Sequence, residues 1–116
     1  MTRGAVAVTL DDVLERAAAL VPRLRERAPR AEAQRRLPDE TIQEFVRAGL
    51  FRVLQPARYG GYELEYGRTQ VELGQMLGQA CGASAWIQCV LACHAWIVGM
   101  FPPAAQEAVW GTDPDT

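Results

Sequence analysis

Apolar residues return at three- and four-residue steps through the first third of the chain. Val13, Ala17, Leu20, Val21, Leu24 and Ala31 form the stripe of an amphipathic helix, which predicts a long first helix over residues 10 to about 36. Pro22 and Pro29 fall inside it. Each removes a backbone donor and crowds the preceding turn, so a kink or a break into two segments is expected. Leu37-Pro38-Asp39-Glu40 then reads as a helix start, with proline at the first position and acids where the free N–H groups lie. Ile42, Phe45, Val46 and Leu50 give this second helix its buried face, and Gly49 offers a left-handed residue to end it. The apolar run 50–56 closes on Pro56 and is expected to run extended into the loop 57–61.

The next pattern changes character. A third helix is predicted over residues 66–81, with Val71, Leu73, Met76 and Leu77 apolar and Gly74, Gly78 and Gly82 recurring every fourth position. Such a ridge suits a close approach of two helices inside a bundle. Ser84 is read as the cap of a fourth helix, residues 85 to about 101, whose sequence is apolar on almost every side. That helix is expected to be buried. Pro103 begins a short fifth helix, 104–110, ended by Gly111, and residues 112–116 form a polar turn. The fold class is therefore all-α, a bundle of about five helices. A flexible N-terminus is expected over 1–9, a helical domain over 10–111, and the start of a truncated linker over 112–116.

Composition narrows the function classes. At 116 residues the chain has room for one domain, and 49% hydrophobic with 22% charged residues is the balance of a folded chain rather than a disordered one. A formal net charge of -2 supplies no basic field for DNA, RNA or an anionic membrane surface. Residues 23–36 are locally basic, through Arg23, Arg25, Arg27, Arg30, Arg35 and Arg36. They are read as a solvated face whose stems cover apolar surface, with an anion or partner patch as the alternative. No charged residue lies between Glu72 and Glu107, but Gly82 and the Pro102-Pro103 pair bracket a stretch short of the about 20 residues a membrane span needs. No membrane partner is expected. Three cysteines, Cys81, Cys89 and Cys93, make an odd number without a signal peptide, which fits a reducing cytoplasm.

Candidate chemistry gathers on the fourth helix. Cys89 and Cys93 share a helix face, but His94 is turned about 100° from Cys93 and no fourth ligand is close in sequence, so no zinc site is expected and the cysteines are read as small buried side chains. The Tyr59-Gly60-Gly61 turn lacks the spacing of a phosphate-binding loop. It is read as a structural turn, with contact to a ligand or a neighbouring domain as the alternative. His94 is the leading candidate: a polar ring in an apolar helix either donates to a buried carbonyl or looks into a cavity. Trp86 lies two turns earlier, about 80° round the axis and roughly 12 Å along it, so the two are candidates to line one pocket, although Trp86 taken alone is read as a core residue. The apolar fourth helix also has few segments left to cover it, which implies packing on further domains or on another copy.

These residues carry a resemblance. Residues 36–41 (RLPDET), 48–52 (AGLFR), Leu54-Gln55-Pro56, Arg58-Tyr59-Gly60-Gly61, Ser84-Ala85-Trp86, His94, the run 106–111 (QEAVWG) and Asp113-Pro114-Asp115 together resemble the N-terminal helical domain of the acyl-CoA dehydrogenase superfamily. Within it the likeness is to the oxygenase components of two-component flavin-dependent monooxygenases, the p-hydroxyphenylacetate 3-hydroxylase-like group. The resemblance implies an oxidoreductase in which a separate flavin reductase supplies reduced FMN or FAD, and one oxygen atom of O2 is placed ortho to a phenolic hydroxyl. It implies His94 as a polar contact to an aromatic substrate, Trp86 as an aromatic wall near substrate or flavin, and Ser84 as a further flavin contact. Family members continue into a β-barrel and a four-helix bundle that carry most of the flavin site and the oligomer interface. The chain alone is therefore expected to be incomplete and inactive, with a homo-oligomer formed by the complete protein. The alternatives are the equivalent domain of a true acyl-CoA dehydrogenase, and a non-catalytic helical interaction module or remnant.

Overall fold

The computed structural model describes residues 7–116, which leaves most of the expected flexible segment 1–9 outside the described residues. Thr9 closes the first turn of α1 (Leu10–Gln34): its hydroxyl accepts from the Asp12 N–H at 3.1 Å, while the Asp12 carboxylate accepts from the Thr9 N–H at 2.9 Å. This reciprocal cap satisfies two donors a bare helix start leaves free. The backbone hydrogen bond from Thr9 also holds the Asp12 carboxyl below its usual 3.8. The helix that follows is unbroken, so of the two outcomes expected at its prolines the break into two segments does not occur. Pro22 and Pro29 both lie on the exposed side, as do Ala18 and Arg25, the residues whose carbonyls lose their helical donors.

Val13, Ala17, Leu20 and Leu24 of α1 enter the core with Phe45 of α2 (Asp39–Arg47), Leu73 and Leu77 of α3 (Tyr66–Gly78) and Ala92 of α4 (Gly82–Val98). Each fully buried Leu or Phe contributes about 1.5–3 kcal/mol. The short α5 (Pro103–Trp110) buries Gln106 and Trp110. Among the described residues there are five α-helices, one 3-10 turn and no strand, so the all-α expectation holds. The basic second half of α1 is neither a merely solvated face nor an open anion patch. Glu44 of α2 receives both Arg23 at 3.0 Å and Arg27 at 2.6 Å, Arg30 pairs with Glu40, and Arg36 pairs with Asp39 at 2.8 Å. Arginine side chains thus clasp α1 to α2.

Gly49 supplies the expected left-handed residue, with φ of 73°. Around it the Gly49 N–H reaches the Val46 carbonyl and the Leu50 N–H reaches the Phe45 carbonyl, both at 3.0 Å, a Schellman ending. A Cβ there would strike the Tyr62 hydroxyl. The following run 50–56 is not extended: it is wound into successive turns that bury Leu50, Val53 and Leu54. Winding lets its own carbonyls accept, since Arg52 and Gln55 donate back to Gly49 and Arg52. Of the two loop glycines, Gly60 takes a φ of 84° and Gly61 lies against the Gln55 backbone, where a side chain has no room.

The glycine ridge departs from expectation. A Cβ on Gly74 or Gly82 would meet nothing within 4 Å, and one on Gly78 would meet only Ala85 at 3.8 Å. The contacts seen between α3 and α4 are instead those of Tyr66 and Gln70 with Cys93 and Cys89, while Thr69, Leu73 and Leu77 of α3 and Ser84, Gln88 and Ala92 of α4 are buried. Nor is α4 buried. It turns its small and amide side chains inward and leaves Trp86, Leu91, Trp96 and Ile97 exposed. No helix among the described residues is long and apolar enough to cross a membrane.

Candidate functional site

The three residues singled out on α4 have three different settings. Ser84 stands in the first turn of the helix rather than capping it; Cys81 is the cap, its Sγ accepting from the Ser84 N–H at 3.4 Å. The helix accordingly starts at Gly82 and ends at Val98, three residues earlier at each end than the spacing predicts. Ser84 is 2% exposed. Trp86 is 67% exposed and presents its indole outward. His94 lies on the exposed side of α4 and lines a cleft of about 310 Å³.

That cleft is framed by four parts of the fold. Ile42 and Val46 of α2 form one wall, Phe51 the floor beside the wound turn, Leu91 and Val98 of α4 another wall, and Val109 and Trp110 of α5 the far end. Its surroundings are apolar apart from His94, Arg52, Gln55 and the tail. The ring of His94 is fixed by its Nδ1, which lies 2.7 Å from the Val90 carbonyl one turn earlier. A carbonyl only accepts, so Nδ1 carries the hydrogen and Nε2 of the neutral ring is left as an acceptor. Of the two alternatives the sequence posed, His94 takes the cavity: its carbonyl partner lies on the exposed side of its own helix rather than in the core. Trp86 is not part of this cleft. The structure places it on the same helix but on a separate exposed surface.

The polar rim of the cleft could not be read from the sequence. Arg52 donates from Nε to Asp115 at 2.8 Å and from a terminal nitrogen to the Gly60 carbonyl at 3.3 Å. Its guanidinium beside Asp115 holds that carboxyl below the usual 3.8, partial burial opposing the shift. Gln55, 3% exposed, donates to both the Tyr59 and the Pro114 carbonyls at 2.9 Å. Residues 114–116 therefore fold back as a wall of the cleft, rather than standing off as a free polar turn. The Arg52 pair spans 63 residues of sequence, a separation over which no local pattern signals contact.

A planar flavin ring finds one matching element among these residues, the exposed indole of Trp86, whose face suits stacking on a flat aromatic system. No basic side chain lies on α4 to meet a phosphate. Among the described residues no three His, Cys, Asp or Glu side chains converge as a metal site. Cys89 and Cys93 face α3, away from the His94 cleft.

Comparisons with known proteins agree with this architecture. Residues 11–111 match the family described as acyl-CoA dehydrogenase, N-terminal domain. The chain is 37% identical over 106 residues to the oxygenase subunit HsaA of a flavin-dependent monooxygenase from Rhodococcus jostii (strain RHA1), covering 88% of this chain and 26% of that protein. It is 34% identical over 103 residues to the oxygenase component of p-hydroxyphenylacetate 3-hydroxylase from Acinetobacter baumannii, covering 89% of this chain and 24% of the relative. The crystal structure of the HsaA monooxygenase from M. tuberculosis superposes with a TM-score of 0.89 at 36% identity, over 94% of this chain and 30% of that one. The chain thus spans about a quarter of the length of these relatives.

Proposed function

This chain belongs to the acyl-CoA dehydrogenase N-terminal domain family, and from that premise we propose that it is the helical domain of the oxygenase component of a flavin-dependent aromatic monooxygenase. The observation that carries the reading is the His94 cleft: an apolar slot of about 310 Å³ with one imidazole acceptor and a guanidinium at its rim. It suits a hydroxylated aromatic ring, with the walls excluding water and Nε2 of His94 receiving the phenolic O–H. Trp86 offers its indole to one face of the flavin, while Ser84, at 2% exposure in the first turn of the helix, has no open face to offer it. Bound reduced flavin supplies the electrons that activate O2. On this reading a separate reductase delivers reduced FMN or FAD, and the complete protein is a cytoplasmic homo-oligomer with no nucleic-acid or membrane partner. The relatives matched at 29–38% identity carry hydroxylase or monooxygenase names, which favours this reading over an acyl-CoA dehydrogenase or an interaction module.

The test is a chimera in which this chain replaces the matching quarter of Rhodococcus jostii HsaA. By itself the chain, given reduced flavin, O2 and a phenol, is expected to show no turnover; the chimera is expected to hydroxylate a phenol. His94→Ala in the chimera should raise KM for the phenol about tenfold or more, with flavin affinity unchanged. A folded, flavin-binding chimera that never hydroxylates overturns the function. Equal loss of phenol and flavin binding together with a lower Tm would make His94 a packing residue.

A further inference from the structure

The face of α4 opposite the His94 cleft holds a second group of reactive side chains that the proposed function does not use. Tyr66 and Gln70 lie one turn apart on α3, and Cys89 and Cys93 one turn apart on α4. They meet as two rungs: the Tyr66 hydroxyl donates to Cys93 Sγ at 3.5 Å, and the Gln70 amide donates to Cys89 Sγ at 3.4 Å and to the Cys89 carbonyl at 3.1 Å. Both sulfurs therefore act as acceptors in one seam, and both cysteines are free and only half-buried. Gln70 Oε1 is buried there with no partner.

We propose that Cys89 and Cys93 form a two-coordinate thiolate site for a soft monovalent cation, Cu(I), in the α3–α4 seam. Side chains four apart on a helix start from Cβ atoms about 5–6 Å apart. A linear sulfur–metal–sulfur unit, twice a metal–thiolate bond of about 2.3 Å, falls within their reach. Thiolate pairs select Cu(I) over hard ions, and the absence of a third and fourth donor that counts against zinc is what a linear ion requires. On binding, each thiol loses its proton to solvent, two S–Cu bonds form, copper stays Cu(I), and the bis-thiolate unit carries one negative charge. Tyr66 and Gln70 supply hydrogen-bond donors to such an anion. The site is independent of the His94 cleft and of the proposed function.

The experiment is anaerobic titration of the 116-residue chain with Cu(I) held by bicinchoninate, read by loss of the dye–copper absorbance and by proton release. One copper and about two protons per chain are expected. Cys89→Ser and Cys93→Ser should each abolish uptake, Cys81→Ser should retain it, and Gln70→Leu should weaken it about tenfold. Alkylation of the wild-type chain gives a readout that needs no variant: Cu(I) should protect Cys89 and Cys93 together. No uptake by the wild type, uptake that survives either serine substitution, or protection of only one of the two cysteines overturns the proposal.

Discussion

Glu44 shows how much can rest on one carboxylate. It accepts from Arg27 at 2.6 Å and Arg23 at 3.0 Å while Thr41 takes a further bond from Arg27, so two of the arginines that clasp α1 to α2 meet on one carboxylate. The Arg27 hydrogen bond, opposed by partial burial, holds its carboxyl below the usual 4.5. A depressed folded value means the contribution is full at neutral pH, above the unfolded value, and fades as pH falls through the folded one. Glu44→Gln should cost about 1–2 kcal/mol in urea unfolding at pH 7. The gap between variant and wild type should narrow below roughly pH 4; a gap independent of pH would show that the charge is not what matters. Individual residues were legible where the cause is local. Gly49 follows a helix pattern and ends it with a positive φ, and His94 stands out as the one imidazole in the chain. Arg52 was not legible, because its partner Asp115 is distant in sequence and every exposed arginine looks alike until the chain is folded.

At the scale of elements, the 3.6-residue period located all five helices, while the break expected in α1 and the extended run expected over 50–56 are absent for definable reasons. A freed carbonyl costs most when it is buried; on α1 both prolines, and the residues whose carbonyls they free, sit at exposed positions. The sequence does mark those sites as weak points. Pro22→Ala restores one backbone hydrogen bond and should raise stability by about 1–2 kcal/mol, after allowing for the greater freedom the unfolded chain regains. An unchanged or lower Tm would mean that the ring packs on its surroundings. The run 50–56 misled because an apolar heptad reads alike whether extended or wound. What decides is the backbone: Tyr62 and Leu64 return to the Arg52 and Val53 carbonyls at 2.9 Å, a closure that depends on Gly61 fitting against Gln55.

For the whole molecule, the composition of α4 said that it is apolar but not which side is covered. Within the described residues its inner row is Ser84, Gln88 and Ala92, and the larger side chains gather outside, with Met100 at 68% exposed and Phe101 beside it. Exposed groups of this kind mark surfaces that pack on something else. The isolated chain should therefore self-associate at tens of micromolar, and Met100→Glu with Phe101→Ser should return it to a monomer without lowering its Tm. Sedimentation velocity would decide; a wild-type chain that stays monomeric would show that the patch is tolerated by water. Domain limits and substrate were beyond reach for the same reason, since both depend on what lies against this surface.

The three tryptophans sit at three depths. Trp110 is 3% exposed and packs on Tyr59 with ring centroids 5.5 Å apart, Trp96 is half-covered by Tyr66, and Trp86 stands in solvent. Their fluorescence must therefore divide into a shielded blue component and a red one open to iodide. Any ring, domain or second chain that comes to rest on α4 will shift the red component first, so the protein carries its own optical gauge of when that helix is covered.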